Sequence, residues 1–341
     1  MATIDLTIRG AGVFGLATAW EAVRRGAKVR VIDPAGPGSG ASGGVVGALA
    51  PHAPENWNEI KGQQFGWLIA ARDYWPEVEA ASGLSTGYRQ LGRLQPIPNA
   101  KALARAQDRA AAAETLWQGQ AQWSVTNDPG PWAPVSPTEQ WIEDTLSAQL
   151  DPAAAVAALA AAIQAAGGEI LADGDEAGAV VHATGWRGLQ DLSAELRRQV
   201  GGGVKGQAAV LAADPGLVPQ IFADGIYAVA HKGGRVAIGS TSEREFDDPT
   251  ATDTHLDDLI SEAKALIPAL RDAPVIERWA GVRPRAVSRV PLVGAWPDRP
   301  GHFVANGGFK IGFAAAPAVA KMIVDLALDD IDGIPDGFRM A

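Results

Sequence analysis

Apolar and polar residues alternate from Ile4 to Ile8, a period of two that predicts a short strand. Directly after it the period changes: Leu16, Ala19, Trp20 and Val23 fall at helical spacing, and the run stops at Gly26. "KVRVI" (28–32) predicts a second strand. Residues 59–81 predict a helix broken near Pro76, and "YRQLGRLQPIP" (88–98) a strand leaving this unit. An Ala-rich helix over 100–118 and a Trp- and Pro-containing connection (Trp123, Trp132, Trp141) follow. "DPAAAVAALAAAIQAAGG" predicts a helix with Asp151 as N-cap, Pro152 at its first position and Gly167 as its stop. "EILA" and "AGAVVHATGWRG" read as two more strands, the latter ending in a glycine turn at Gly185. "VKGQAAVLAA", a hairpin turning at Gly233–Gly234, and "APVIERWAGVRP" read as strands around an amphipathic helix, "THLDDLISEAKALI". "HFVANGGFKIGFAAAPAVAKMIVDLAL" closes the chain as strand, glycine turn and long helix. The expected class is α/β: a Rossmann-like unit built from separated segments, and a second unit with a mostly antiparallel sheet.

The first unit carries chemistry. Gly10, Gly12 and Gly15 sit between strand and helix, and Asp33 ends the second strand. Such a turn lets backbone approach a pyrophosphate, with the helix N-terminus supplying N–H donors and an acid available to a ribose hydroxyl. Strand, glycine turn, helix, strand and acid in that order predict dinucleotide binding. "GPGSGASGGVVGALAPH" (36–52) then runs as a long small-residue segment where a nicotinamide enzyme usually starts another helix. Small residues let main chain lie along a large flat ring, which favours FAD over NAD(P).

Composition narrows the picture. With 341 residues, about two domains are expected. No cysteine is present, which excludes disulfides, a catalytic thiol and flavin attached through cysteine, and fits a reducing, cytoplasmic compartment. The start lacks a secretory pattern, and the longest apolar stretch is far short of the roughly 20 residues of a membrane span. A net charge of −10 argues against a nucleic-acid partner. Against that balance, Arg278, Arg283, Arg285 and Arg289 cluster in or beside "WAGVRPRAVSRVPLVG" and suggest a fixed anion site.

The motifs "GAGVFG", "GASGGVVGALAPH", "VVHATGW", "VKGQ", "IYAVAHKGGRVAIGST", "WAGVRP…PLVG" and "NGGFKIGFAAAP", in that order over nearly the whole chain, resemble the D-amino-acid oxidase superfamily of flavoproteins. The similarity extends to glycine oxidase of the thiamine-biosynthesis type. The resemblance implies non-covalent FAD and an FAD domain from 1–80, 145–203 and 290–341. A substrate domain would take 81–144 and 204–289. By position it implies that Gly10, Gly12, Gly15 and Asp33 hold the ADP half. Ser42, Gly47, Ala48 and Leu49 would run along the flavin, and Ala183, Thr184 and Gly185 near the cofactor's middle. Gly307, Gly308, Lys310, Ile311 and Gly312 would lie beside the isoalloxazine. Arg283 would pair with a substrate carboxylate, with Tyr227 and Lys310 nearby. The implied reaction is oxidative deamination of glycine, sarcosine or a D-amino acid by hydride transfer from the α-carbon to flavin N5, giving an imine. Oxygen, yielding hydrogen peroxide, or a quinone or other carrier would take the electrons. The more distant alternative is a tRNA-modifying or binding module on the same fold. A homo-oligomer stays open.

Three departures from the family pattern bear on the substrate and the adenine side. Ala286 and Ser288 replace the usual threonine and aspartate after "R-P". Ser242 replaces a bulky residue, and the stretch between "GGEILA" and "AGAVVHATG" is short. Arg278, Arg285 and Arg289 are expected to face solvent or acidic neighbours, and Arg9 to reach solvent from a covered stem. Among the histidines only His52 is expected near the flavin; His182, His231, His255 and His302 read as structural, and no metal site is expected.

Overall fold

The computed structural model describes residues 4–50, 54 and 57–340; His52 lies outside them. In chain order, β1 (Leu6–Arg9), α1 (Val13–Arg24), β2 (Val29–Ile32) and β3 (Ala48–Leu49) come first. α2 (Glu59–Ser82), β4 (Arg93–Pro96), α3 (Ala100–Leu116), β5 (Trp123–Thr126), β6 (Trp141–Asp144) and β7 (Ala148–Gln149) follow. Then come α4 (Pro152–Ala165), β8 (Glu169–Leu171), β9 (Ala179–His182), α5 (Gly185–Glu195), β10 (Gly201–Ala212), β11 (Gln220–Ala223), β12 (Ile226–His231) and β13 (Arg235–Gly239). α6 (Thr254–Leu266), β14 (Val275–Ala286), β15 (Leu292–Ala295), β16 (His302–Asn306) and α7 (Gly312–Asp329) complete the chain.

Two large sheets organise these elements. One runs β15-β16-β9-β1-β2-β8, parallel except for β15. The other runs β14-β10-β13-β12-β11-β4-β6-β5 and is antiparallel except where β11 meets β4. Each chain segment joins a sheet according to its burial. Leu6, Ile8, Val29 and Val31 are fully or almost fully buried beneath α1, α4 and α7, in the largest apolar cluster. The antiparallel sheet buries Ala209, Leu211, Ile221, Ala228 and Ile238 on one face against Leu256, Ile260 and Ala263 of α6. The opposite face of that sheet turns towards the loop after β2: Ala208, Val210 and Ala237 pack with Val45, Val46 and Trp279.

Three local expectations need correction. α2 runs on through Pro76 rather than breaking there, from its N-cap Asn58 to a left-handed Gly83. Pro76 is exposed while Trp75 and Val78 beside it are buried, so its missing backbone bond falls on the solvated side and packing carries the helix across. The Trp-containing connection is a strand pair, β5 with β6, with Trp132 beneath the antiparallel sheet. "GWRGLQDLSAE" is a helix, α5, masked in the sequence by two glycines in its first turn; only Gly188, Leu189 and Leu192 are buried, the last two in a small cluster with Val200 and Ala286.

Candidate active site

The glycine turn is built by close approach of backbone. A Cβ on Gly10 would lie 2.4 Å from the Ala183 carbonyl oxygen, and one on Gly15 would lie 1.9 Å from the Gly10 carbonyl oxygen. No side chain fits either place, so glycine here lets β1, α1 and the end of β9 converge. Asp33 ties the turn to β2: its carboxylate accepts from the N–H of Ala11 at 2.8 Å and of Ala35 at 3.0 Å. α1 starts at Gly12, which offers no side-chain cap. Its first N–H, on Val13, is taken by the Ser42 hydroxyl at 2.9 Å. Ser42 thus belongs to the mouth of this helix. Gly47 presses on the Leu150 carbonyl, and Ala48 and Leu49 form β3, paired with Gln149 and Ala148 of β7. The small-residue segment is therefore anchored at both ends.

A chain of contacts leads from this turn to the arginine cluster. Asn306, at the end of β16 and 4% exposed, donates to the Gly185 carbonyl at 2.9 Å and accepts from the Gly307 N–H at 2.7 Å. It locks the 183–185 turn to the 307–312 turn. Gly308 sits against Phe14 of α1, and the Phe309 N–H donates to the Pro284 carbonyl at 2.9 Å. α7 begins here, at Gly312, without a side-chain cap, so its positive dipole end is free for a negative group.

Arg283 lies on β14, opposite Val204 of β10. It is 9% exposed, yet every hydrogen bond it makes goes to a neutral oxygen. Nη1 donates to Ser240 Oγ at 2.7 Å, and Nη2 to the carbonyls of Lys205 at 3.0 Å and Thr241 at 2.7 Å. Nε is buried without a partner. A guanidinium has five N–H donors, so part of its capacity is unspent. Burial pushes its pKa down to about 10, with the Glu243 charge acting weakly the other way. It stays cationic at neutral pH. Arg93 provides the contrast: equally buried, it donates to the Asp144 carboxylate at 2.9 Å. Among the described residues no carboxylate forms an ion pair with Arg283.

Glycines make room for the Arg283 and Trp279 side chains on the same sheet face. A Cβ on Gly206 would meet the Arg283 guanidinium at 2.5 Å, and one on Gly281 would meet the Trp279 ring at 2.5 Å. Register places Tyr227, Gly239, Ala208 and Trp279 in one row, on the face Arg283 shares by strand alternation. Tyr227 is half-buried against Phe222. Lys310 is exposed as a residue, but its ammonium lies 5.7 Å from the Phe309 ring centre; desolvation first and the Arg283 charge second lower its pKa.

Arg285 has no acidic ion-pair partner among the described residues. It is half-buried, with its guanidinium 5.5 Å from the Phe309 ring centre, because β14 continues past Arg283 and points both arginines the same way. Arg278 does pair with an acid, Asp257, at 2.6 Å, and Arg289 is exposed. Ser242 is exposed, Ala286 is buried and Ser288 is exposed. Arg9 pairs with Glu176 at 2.7 Å. His182 and His302 contact one another through ring nitrogens at 3.0 Å, and His231 contacts the Val45 carbonyl at 2.8 Å. His255 meets Asp253 at 2.8 Å and, with Glu243, forms a three-residue group whose ligand atoms lie within 4.8 Å of one another. Gln207 and Thr241 already hydrogen-bond its carboxylates.

Residue patterns missed Ser240, Thr241, Asn306 and Phe309. Only the small-residue ending "IGST" hinted at the first two; the others matter through contacts across the fold.

Comparison with known proteins gives a consistent picture. The sequence model of the family described as FAD dependent oxidoreductase matches residues 5–326. Glycine oxidase from Pseudomonas putida is 32% identical over 167 residues, 48% of this chain and 44% of that protein. The chain thus spans less than half of that relative. Glycine oxidase from Geobacillus kaustophilus is 23% identical over 94% of this chain and 92% of that protein. Its crystal structure matches with a TM-score of 0.81 over 99% of this chain and 98% of that one. Iminodiacetate oxidase from a Chelativorans species matches with a TM-score of 0.81 and 21% identity, over 98% of each chain. The fold is the α/β flavoprotein type with a Rossmann-like sheet and a largely antiparallel second sheet. Among the described residues no helix is long and apolar enough to cross a membrane.

Proposed function

The chain belongs to the FAD-dependent oxidoreductase family, and on that premise we propose that it oxidises a small amino acid or amine bearing a carboxylate. One observation carries this reading: Arg283, buried as deeply as a core side chain, has only neutral acceptors and an unpartnered Nε. A buried cation without a counter-ion is costly, and a ligand carboxylate would supply the missing charge.

The chain's own residues fit the cofactor. Gly10, Gly12, Gly15 and Ser42 would border a pyrophosphate at the α1 turn; Asp33 and Ser42 take the N–H groups of Ala11 and Val13, so the other N–H groups at the start of α1 would be its donors. Asp33 keeps acceptor capacity for ribose hydroxyls beside its two backbone donors. Gly47, Ala48, Leu49, Ala183, Thr184 and Gly185 would border the groove, and Gly307, Gly308, Ile311 and Gly312 its far end. FAD, when bound without a covalent link, would supply the two-electron acceptor for the hydrogen on the substrate's α-carbon.

Arg283 would fix the carboxylate, and with it the orientation of the α-carbon, through N–H donors left unspent by Ser240, Lys205 and Thr241. Tyr227 would border the substrate from β12. Lys310 and the uncapped start of α7 would stabilise negative charge at the reacting end. No side chain is assigned to abstract a proton; orientation and a fixed field would supply the rate enhancement.

Protein saturated with FAD and mixed without oxygen with glycine, sarcosine and D-amino acids tests this. Bleaching of the flavin band by at least one member supports the reading, and peroxide on admitting air identifies oxygen as acceptor. A flavin that stays oxidised with every amine contradicts it.

A further inference from the structure

Phe309 is the hub of an unusual arrangement of charge. The charged ends of Arg283, Arg285 and Lys310 lie 5.5, 5.5 and 5.7 Å from its ring centre. A cation within about 6 Å of a ring face gains a modest attraction. One ring cannot neutralise three positive charges. Among the described residues none of the three forms an ion pair with a carboxylate, although acidic side chains outnumber basic ones by 39 to 29. Arg278 on the same strand does find an acid.

The arrangement is held by backbone. Arg283 and Arg285 are two residues apart on β14 and share a face. Phe309 sits over them because its N–H bonds to Pro284, between the two, and because Gly308 bridges to Arg285. Phe309 itself has φ +42°, a conformation unfavourable for a bulky residue. Opposite Arg285 stands Gly202, where an added Cβ would meet nothing within 4 Å, so that side is open. The two guanidinium carbons can be no further apart than twice 5.5 Å.

One substrate carboxylate on Arg283 leaves this cluster positive. We propose that Arg285 receives a second carboxylate on the substrate, so that the substrate class is a dicarboxylic amine or amino acid. This rests on the amine-oxidation reading above and adds a specificity residue to it. Arg283 holds the carboxylate beside the reacting carbon. Arg285 holds the second.

Two measurements decide it. The first titrates FAD-loaded protein with acetate and with malonate, followed by perturbation of the bound flavin spectrum. Malonate is expected to bind at least tenfold more tightly, about one decade in dissociation constant. Equal affinities overturn the proposal. The second compares iminodiacetate with sarcosine, which differ by one carboxylate, as the ratio of kcat/KM. Arg285→Gln should lower that ratio at least about 30-fold, and Arg285→Lys should restore part of it; an unchanged ratio overturns the proposal. If Arg285→Gln fails to fold, Arg285→Ser replaces it, with the malonate-to-acetate ratio as the readout: a loss of malonate preference supports the proposal and an unchanged ratio overturns it. The two readings fail separately. Malonate preference without bleaching by any amine sinks amine oxidation and leaves the two-carboxylate site. Bleaching by sarcosine without malonate preference sinks only the present inference.

Discussion

On the proposed reading, the β1–α1 turn would offer a ligand backbone N–H donors, and the β14 site a side-chain cation. The first region meets its own needs locally. Gly10, Gly12, Gly15 and Asp33 lie within 24 consecutive residues, and Asp33 already bonds to the turn it would serve. The second is assembled from β10, the end of β13, β14 and the 307–312 turn, and among the described residues Arg283 bonds only to neutral acceptors. The comparison teaches that the two ends should fail differently. Damage to the turn should cost cofactor and spare carboxylate recognition; damage at Arg283 should do the reverse.

The largest effect is expected from Gly15→Val. Its Cβ would sit 1.9 Å from the Gly10 carbonyl oxygen, so the backbone of the turn would have to shift. FAD affinity should fall by at least about three decades, equivalent to roughly 4 kcal/mol, as read by flavin retention after gel filtration. Flavin retained at wild-type levels would remove the turn from the cofactor site.

Asp33→Ala should be milder. Losing a hydrogen bond to a charged group costs about 1.5–3 kcal/mol, or roughly one to two decades in the FAD dissociation constant. At saturating FAD, kcat/KM for the amine should be nearly unchanged. A drop in kcat/KM that added FAD does not rescue would break the separation between the two ends.

Gly206→Ala sharpens the comparison from the substrate side. The new methyl would meet Arg283 at 2.5 Å and force the guanidinium to shift. KM for the amine should rise about tenfold, near 1.4 kcal/mol, with FAD affinity unaffected. An unaltered KM would show that the position of Arg283 is not critical.

The smallest expected effect concerns stability. Burial first and the neighbouring His302 second lower the His182 pKa from 6.5 to about 4. The unfolded chain therefore takes up the proton first as pH falls, and stability present above about 6.5 is lost down to about 4. The full shift corresponds to about 3 kcal/mol, of which partial solvation leaves roughly 1–2 kcal/mol. His182→Gln should flatten the fall in Tm across that range while sparing FAD binding; an equally steep fall would place the acid sensitivity elsewhere.

Legibility in the sequence follows the same division. The α/β class, the hairpin at Gly233–Gly234 and the glycine turn could be read because each depends on neighbouring residues. The ordered motifs single out Arg283 as a candidate, but its neutral surroundings are not legible in the sequence: Ser240 and Thr241 approach it from more than 40 residues away. The proximity of Arg285 to Phe309 is not legible in the sequence, because it depends on the pairing of the 307–312 turn with the end of β14. α5 escaped because two glycines hide a helix that packing against its neighbours sustains.

The central claim is that Arg283 holds the substrate carboxylate. The most direct measurement is anaerobic flavin bleaching by the best amine of the panel in wild-type protein and in Arg283→Ala, each at saturating FAD. Removing one partner of a buried charge pair costs about 3–5 kcal/mol, so the second-order bleaching rate should fall by roughly two to four decades. FAD affinity should hold, and Arg283→Lys should recover only part of the rate, since a point charge has fewer fixed donors. Bleaching of Arg283→Ala at the wild-type rate, with Arg285→Ala the crippled variant instead, would contradict the account.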